Sequence, residues 1–263
     1  MPVVLLYHDV TPAGHEDLSG FPGAGAARYK LTPRDFMAHL DAIASATVMP
    51  PRACAPGSTN RRHDWLITFD DGGSSSLSPI ADQLEERGWR GWFFITTDRL
   101  GTPGFLTRLQ VQDLYRRGHL VGSHSCSHPL RLSHCAPEEQ FEEWHASRQE
   151  LEAILGTSVT CGSVPGGFFS RNVAYAADRA GLRLLFTSEP TTAPYAIGNC
   201  LIQGRYTVYR GMAPAAASAL LRSAWPRWRQ SAWWTTKKLA KSLGGETYIR
   251  LRERFWRQAY AAS

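Results

Sequence analysis

The stretch "WLITFDDGGSSS", residues 65–76, runs an apolar segment into two adjacent aspartates, Asp70 and Asp71, followed by Gly72 and Gly73. Neighbouring carboxylates at the end of a buried strand oppose each other's ionisation unless the turn is solvated or a cation lies close. A second stretch, "GHLVGSHSCSH" at residues 118–128, ends with His124 and His128 four positions apart. That spacing aligns two imidazoles over one helical turn. Two neutral imidazoles plus one carboxylate make three protein ligands and leave a position for water. Asp71 completes such a set, and a dication there lets both aspartates remain ionised. Asp70 is then placed to take a proton from the water, which is the chemistry of metal-assisted hydrolysis. Zn2+ is the expected ion, and Co2+, Fe2+, Ni2+ or Mn2+ suit the same donors.

Such residues must be brought together by the elements between them. The runs "VVLLYH" (3–8), "WLITFD" (65–70), "GWFFITT" (91–97), "HLVGSH" (119–124), "SVTCGSVP" (158–165), "LRLLFTS" (182–188) and "CLIQGRYTV" (200–208) read as short strands. Helices are expected over 33–45, 78–88, 108–117, 137–155 and 171–180, with glycines 88, 118, 156 and 181 at their ends. Alternation of this kind argues for parallel strands joined by helical crossovers. Seven strands point to a barrel more than to an open sheet, although periodicity does not separate the two. Residues 10–30 lack periodicity and read as a long loop after the first strand. In a parallel barrel the C-terminal strand ends converge on one face. Those ends carry His8-Asp9, Asp70-Asp71-Gly72, His124 to His128, Pro165-Gly166-Gly167 and Gly204-Arg205-Tyr206, with Glu189 on the same face.

"TFDDG" (68–72) followed some fifty residues later by "HSCSH" (124–128) resembles the first two motifs of the polysaccharide deacetylases, carbohydrate esterase family 4. "LLYHDV" (5–10) and "RGWRGWFFITTDRLG" (87–101) are similar to that family too, and the likeness covers about residues 3–208. It implies a distorted (β/α)7-type barrel that hydrolyses an N-acetyl group on an amino sugar or glycan. Asp70 matches the general base, and Asp71, His124 and His128 match the metal ligands. A backbone N–H near Gly72 or Gly73 is expected to face the developing oxyanion. The chain departs from the pattern twice. The third motif, usually Arg-x-Pro-x-Gly, reads "SVPGG", with Ser163 in the arginine's place and Pro165 and Gly167 kept. The C-terminal Leu-x-Ile-His motif, source of the general acid, is replaced by "LIQGRY", and no histidine follows His145. Arg205 is expected to supply part of the missing charge at the substrate side, with Glu189 touching substrate, and His8 is the preferred substitute acid. Two alternatives stay open: a catalytically impaired barrel that binds metal and glycan, and hydrolysis of a different amide or a cyclic imide.

Composition is that of a chain burying a real core, 43% hydrophobic and 20% charged. The five cysteines are odd in number and lack CxxC spacing, which argues against a disulfide framework or a cysteine zinc module. The start reads as a first strand and not as a signal peptide, so a cytoplasmic setting is expected, with the inner membrane face as one location. The net charge of +6 is uneven: residues 211–263 hold ten Lys/Arg against two Glu, and five of the nine tryptophans. We therefore expect a barrel over residues 1–210 and a basic, Trp-rich helical tail over 211–263. The tail either packs back on the barrel or lies on anionic membrane; nucleic acid is not expected, because no module for it is visible.

Overall fold

The computed structural model describes residues 2–47, 49–51 and 65–236. Strands β1 (Val3–Tyr7), β2 (Trp65–Phe69), β3 (Trp92–Ile95), β4 (Leu120–Ser123), β5 (Cys161–Ser163), β6 (Leu184–Phe186), β7 (Tyr195–Ile197), β8 (Cys200–Gln203) and β9 (Tyr206–Thr207) form one curled sheet. Its order is β7-β8-β6-β5-β4-β3-β2-β1-β9, and only the β7–β8 pair is antiparallel. The parallel strands follow the strand–helix rhythm, and the curled sheet is the distorted (β/α) barrel that the resemblance implies.

Both faces of the sheet are covered, so its strands are near-continuously apolar. Along β1, Val3, Leu5 and Tyr7 face outward into a cluster with Phe36, Leu40 and Ile43 of helix α1 (Pro33–Ala44). Val4 points the other way, into the barrel, with Leu66, Trp92, Phe94 and Phe186. The two-residue period of a strand thus separates the interior from the helical layer. A kinked helical segment, Leu77–Ala81 continuing as α2 (Asp82–Glu85), precedes β3. Helices α3 (Arg108–Arg116), α4 (Pro137–Leu155) and α5 (Arg171–Arg179) follow β3, β4 and β5. Helix α4 starts with Pro137, whose missing N–H costs nothing there, and ends at Gly156 in the left-handed region, φ 68°.

One expected strand is corrected. Residues 200–208 do not form a single strand: β8 pairs with β6, and β9 pairs with β1. The break falls at Gly204-Arg205, so one run of chain serves both margins of the curled sheet. A Cβ at Gly204 would lie 2.3 Å from the Glu189 carbonyl, so only glycine permits that close passage. Strand β7 was not apparent in the sequence. Beyond the barrel, α6 (Pro214–Arg222) packs on α1, and α7 covers residues 224–236. The rest of the expected tail, 237–263, lies outside the described residues.

Candidate active site

The aspartate pair sits where β2 ends. Asp71 is in the left-handed region, φ 77°, as is Gly72, φ 78°. Aspartate tolerates this better than most residues, and such strain gathers at functional sites. The turn turns Asp71 toward the two histidines while Asp70 points into the barrel. A buried carboxylate just past the first strand, in the "LLYHDV" segment, holds this turn. Asp9 Oδ1 accepts from Ser19 Oγ at 2.6 Å and Ser75 Oγ at 2.7 Å, tying loop 10–31 to the segment after Asp71. A Cβ at Gly73 would overlap the Asp9 carboxylate at 1.9 Å, which explains a glycine there.

His124 and His128 are not on a helical turn. Residues 124–128 form a loop in which Ser125 and His128 both have positive φ, 65° and 60°. The four-residue spacing brings the rings together by another route, with centroids 5.0 Å apart. Hydrogen bonds fix this loop. Ser125 Oγ accepts from the His128 N–H at 3.1 Å, and Ser123 Oγ accepts from the Ser125 N–H at 3.1 Å. From α4, Glu143 Oε2 accepts from the N–H groups of Cys126 and Ser127, each at 2.9 Å. Nothing in the spacing of Glu143 signals this role.

Asp71 Oδ1 lies 3.3 Å from His124 Nε2 and 3.7 Å from His128 Nε2. The three donor atoms are all within 4.8 Å of one another. A four-coordinate dication with bonds of 2.0–2.1 Å spreads its ligands about 3.4 Å apart, so the donor set fits one ion. His124 Nδ1 donates to the Ser163 carbonyl at 2.9 Å, leaving the Nε2 lone pair for a metal. Burial, reinforced by the charge of His124, lowers the pKa of His128 to about 4, so it is a neutral donor near pH 7. Burial opposes ionisation of Asp71, but its bond to His124 and the nearby histidines outweigh this and hold its pKa well below the usual carboxylate range.

Asp70 faces a different partner. Arg205, fully buried, donates to it through both terminal nitrogens, Nη1 to Oδ1 and Nη2 to Oδ2, each at 2.7 Å. The same Nη2 donates to Ser163 Oγ at 2.6 Å, and Ser163 Oγ donates to Asp70 Oδ2 at 3.0 Å. The guanidinium lies over the Phe94 and Phe186 rings, at 5.7 and 5.8 Å. Burial raises the pKa of Asp70, yet Arg205 and then His124 outweigh it and leave the net shift downward. Asp70 Oδ2 is 3.9 Å from His124 Nε2, beside the donor set. The expectation that Arg205 faces substrate is therefore corrected: it is sealed beneath the site, and its side chain holds Asp70.

The remaining expected residues are distributed unevenly. His8 is half-buried, stacks on Tyr29 at 4.9 Å, and its buried Nδ1 has no hydrogen-bond partner. It lies close enough to Asp70 and Asp71 to favour both charges. Gly72 and Gly73 are buried, and the Gly72 carbonyl accepts from the Leu106 N–H. Pro165 and Gly167 form a tight turn, with Gly166 and Gly167 at positive φ. Glu189 is half-buried, and its carbonyl accepts from the Arg205 N–H at 2.9 Å, so its backbone places the arginine. Loop 10–31 is ordered by Lys30, whose buried Nζ donates to the carbonyls of Glu16, Ser19 and Phe21 at 2.6–2.8 Å. It carries Phe21 to within 4.4 Å of the His128 ring. His119 is structural, bonded to Gly91 and Glu85. Burial pushes the Cys126 thiol up to about 12, which suits a packed residue and not a nucleophile.

Comparison with known proteins bears on this arrangement. Residues 57–185 match the family model described as polysaccharide deacetylase. The Bacillus subtilis protein YxkH is 27% identical over 163 residues, 60% of this chain and 56% of that protein. Peptidoglycan-N-acetylglucosamine deacetylase PgdA of Listeria monocytogenes is 30% identical over 135 residues, 51% of this chain and 27% of that protein. The chain thus spans 56% or less of the length of these two relatives. The Streptococcus pyogenes deacetylase PplD, solved in complex with acetate, shares the fold with a TM-score of 0.66 at 18% identity, over 81% of this chain and 94% of that one. By its paired motifs, its matched segment of just under half the chain and its curled parallel sheet, the barrel described here is similar to the polysaccharide deacetylases.

Proposed function

We propose that this chain is a metal-dependent hydrolase that removes an N-acetyl group from an amino sugar or glycan. The observation that carries the reading is the joint placement of a three-donor cluster, Asp71, His124 and His128, beside an aspartate clamped in its ionised form. The names of the relatives, peptidoglycan-N-acetylglucosamine deacetylase and chitin deacetylase, support an N-acetylated glycan as the substrate class.

A divalent ion held by Asp71, His124 and His128 supplies, when bound, an acidified water and a Lewis-acid contact for the acetamide carbonyl. Zn2+ suits two imidazoles and a carboxylate best. Asp70 accepts the proton of the attacking water as the general base. Arg205 and Ser163 act as positioning residues, since two guanidinium bonds and one hydroxyl bond leave the carboxylate a single orientation. His8 gives a proton to the leaving amine from its ring. The C–N bond breaks and acetate departs. Tyr29, stacked on His8, sets the plane of that ring.

The lost third-motif arginine favoured the reading of an impaired, glycan-binding barrel. Arg205 weighs against that reading, because it makes the contact an orienting arginine must make. Acetate release from a panel of acetamido sugars by metal-loaded protein tests the proposal. Asp70→Asn is expected to bind one equivalent of metal and lose turnover, whereas His124→Ala loses both. Full turnover in Asp70→Asn, or metal bound without acetate released from any sugar, would overturn it.

A further inference from the structure

Helix α7 is amphipathic in the wrong sense for an element that only packs on its own barrel. Two of its residues make polar contacts with the barrel. Gln230 bridges the backbone of Thr207, accepting from its N–H at 3.0 Å and donating to its carbonyl at 2.9 Å. Ser231 Oγ donates to the Pro190 carbonyl at 2.5 Å. Trp225 and Trp228 face outward, 63% and 59% exposed, stacked on each other at 5.0 Å and 17°. Arg222, at the end of α6, and Arg229 are exposed beside them. Ordinarily a surface helix turns its aromatic side to the core. Here two large apolar side chains are held away from the protein by a helix whose polar side is fixed to it.

The local sequence is of one sign: from residue 213 to residue 236 the chain contains Arg222, Arg227 and Arg229 and no Asp or Glu. We infer that α7 is an interfacial anchor that seats this chain on an anionic bilayer surface, its tryptophans at headgroup depth and its arginines against lipid phosphates. Tryptophan favours that boundary because its ring is apolar and its N–H polar. Nearby cations add attraction to anionic lipid. No helix among the described residues is long and apolar enough to cross a membrane, so the contact lies on the surface. A second copy of this face would bring like charge against like charge. Residues 237–263, with seven Lys/Arg against two Glu, are no better complement to Arg222 and Arg229. Nucleic acid would need tryptophan faces open to bases, and these two rings cover one another.

Helix α7 is fixed at the seam where Arg205 enters the barrel: it bonds Thr207 and Pro190, and Pro190 follows Glu189, whose carbonyl holds the Arg205 backbone. The binding does not rest on the hydrolase reading.

Co-sedimentation of the full chain with phosphatidylglycerol-containing vesicles, against vesicles of phosphatidylcholine alone, tests the inference. Binding to the anionic vesicles should exceed binding to the neutral ones and fall with added salt. Trp225→Ser/Trp228→Ser should weaken it at least about tenfold, from the apolar area lost. Arg222→Gln/Arg229→Gln should weaken it about 25-fold, at roughly fivefold per cation, and serves if the tryptophan variant folds poorly. Acetate release from a soluble acetamido sugar should be unchanged in both, which separates failure of the anchor from failure of the hydrolase reading. Equal binding to both vesicle types, no binding, or unchanged binding in both variants overturns the proposal. So does self-association lost in the tryptophan variant, or a preference for a single-stranded oligonucleotide over the vesicles.

Discussion

The two halves of the site are built by different means. His124, His128 and the helix that fixes them lie within residues 120–155, and the loop is held by serine hydroxyls and one carboxylate on backbone N–H groups. The Asp70 half draws on Ser163 and Arg205, 93 and 135 positions away, and rests on a fully buried ion pair. His128 is the most exposed member, 19%, against 2% for His124, 4% for Asp70 and 0% for Arg205. A half held by local bonds to backbone N–H groups can lose function without unfolding. A half held by buried charge cannot, because either partner left alone is an uncompensated charge.

Arg205→Met should break this contrast most sharply. It strands Asp70, so stability should fall by about 3–5 kcal/mol in denaturant titration, with acetate release lost. Adding Asp70→Asn removes the stranded charge and should restore much of the stability but none of the turnover. A double variant no more stable than Arg205→Met would show that the pair is not what Arg205 stabilises. On the other half, Glu143→Ala should weaken metal affinity about 10–100-fold by calorimetry, as loss of an outer support does, while denaturation of the metal-free protein changes far less. A stability loss as large as that of Arg205→Met would erase the distinction.

The smallest effect concerns acid. Asp70 has a folded pKa below the usual 3.8, so its pairing contributes stability that is fully present above about pH 4. As pH falls below that, the unfolded chain takes up a proton before the folded one, and the contribution is lost toward the lowered folded pKa. Metal-free Asp70→Asn should therefore show a shallower stability loss below pH 4 than the parent chain. Parallel acid limbs would mean that Asp70 is not depressed in the folded state.

These halves also differ in how far they could be read beforehand. Asp70, Asp71, His124 and His128 stand out because their chemistry is written in short motifs at strand ends. The route by which the histidines meet was misread, since positive φ at Ser125 and His128 replaces the helical turn that spacing alone favours. Glu143 was missed because a lone acid on a helix carries no local signal, and Asp9 was placed at its strand end without its role. Arg205 was noticed, but as a substrate contact, because its position past a strand end does not say whether a long side chain turns outward or down. The break at Gly204 turned it down, between Phe94 and Phe186.

Local sequence by itself determined the strand–helix alternation, the parallel sheet that follows from it, and the identity of the candidate metal donors. Each depends on propensity, two-residue or 3.6-residue patterning and turn residues, which act over a few positions. Only the tertiary structure decided which arginine orients the base, which carboxylates hold the two loops, and which way the tryptophans of α7 face. Those outcomes depend on distances between residues far apart in the chain, and the strength of a buried charge pair or a hydrogen bond is fixed by such distances and by the exclusion of water around them.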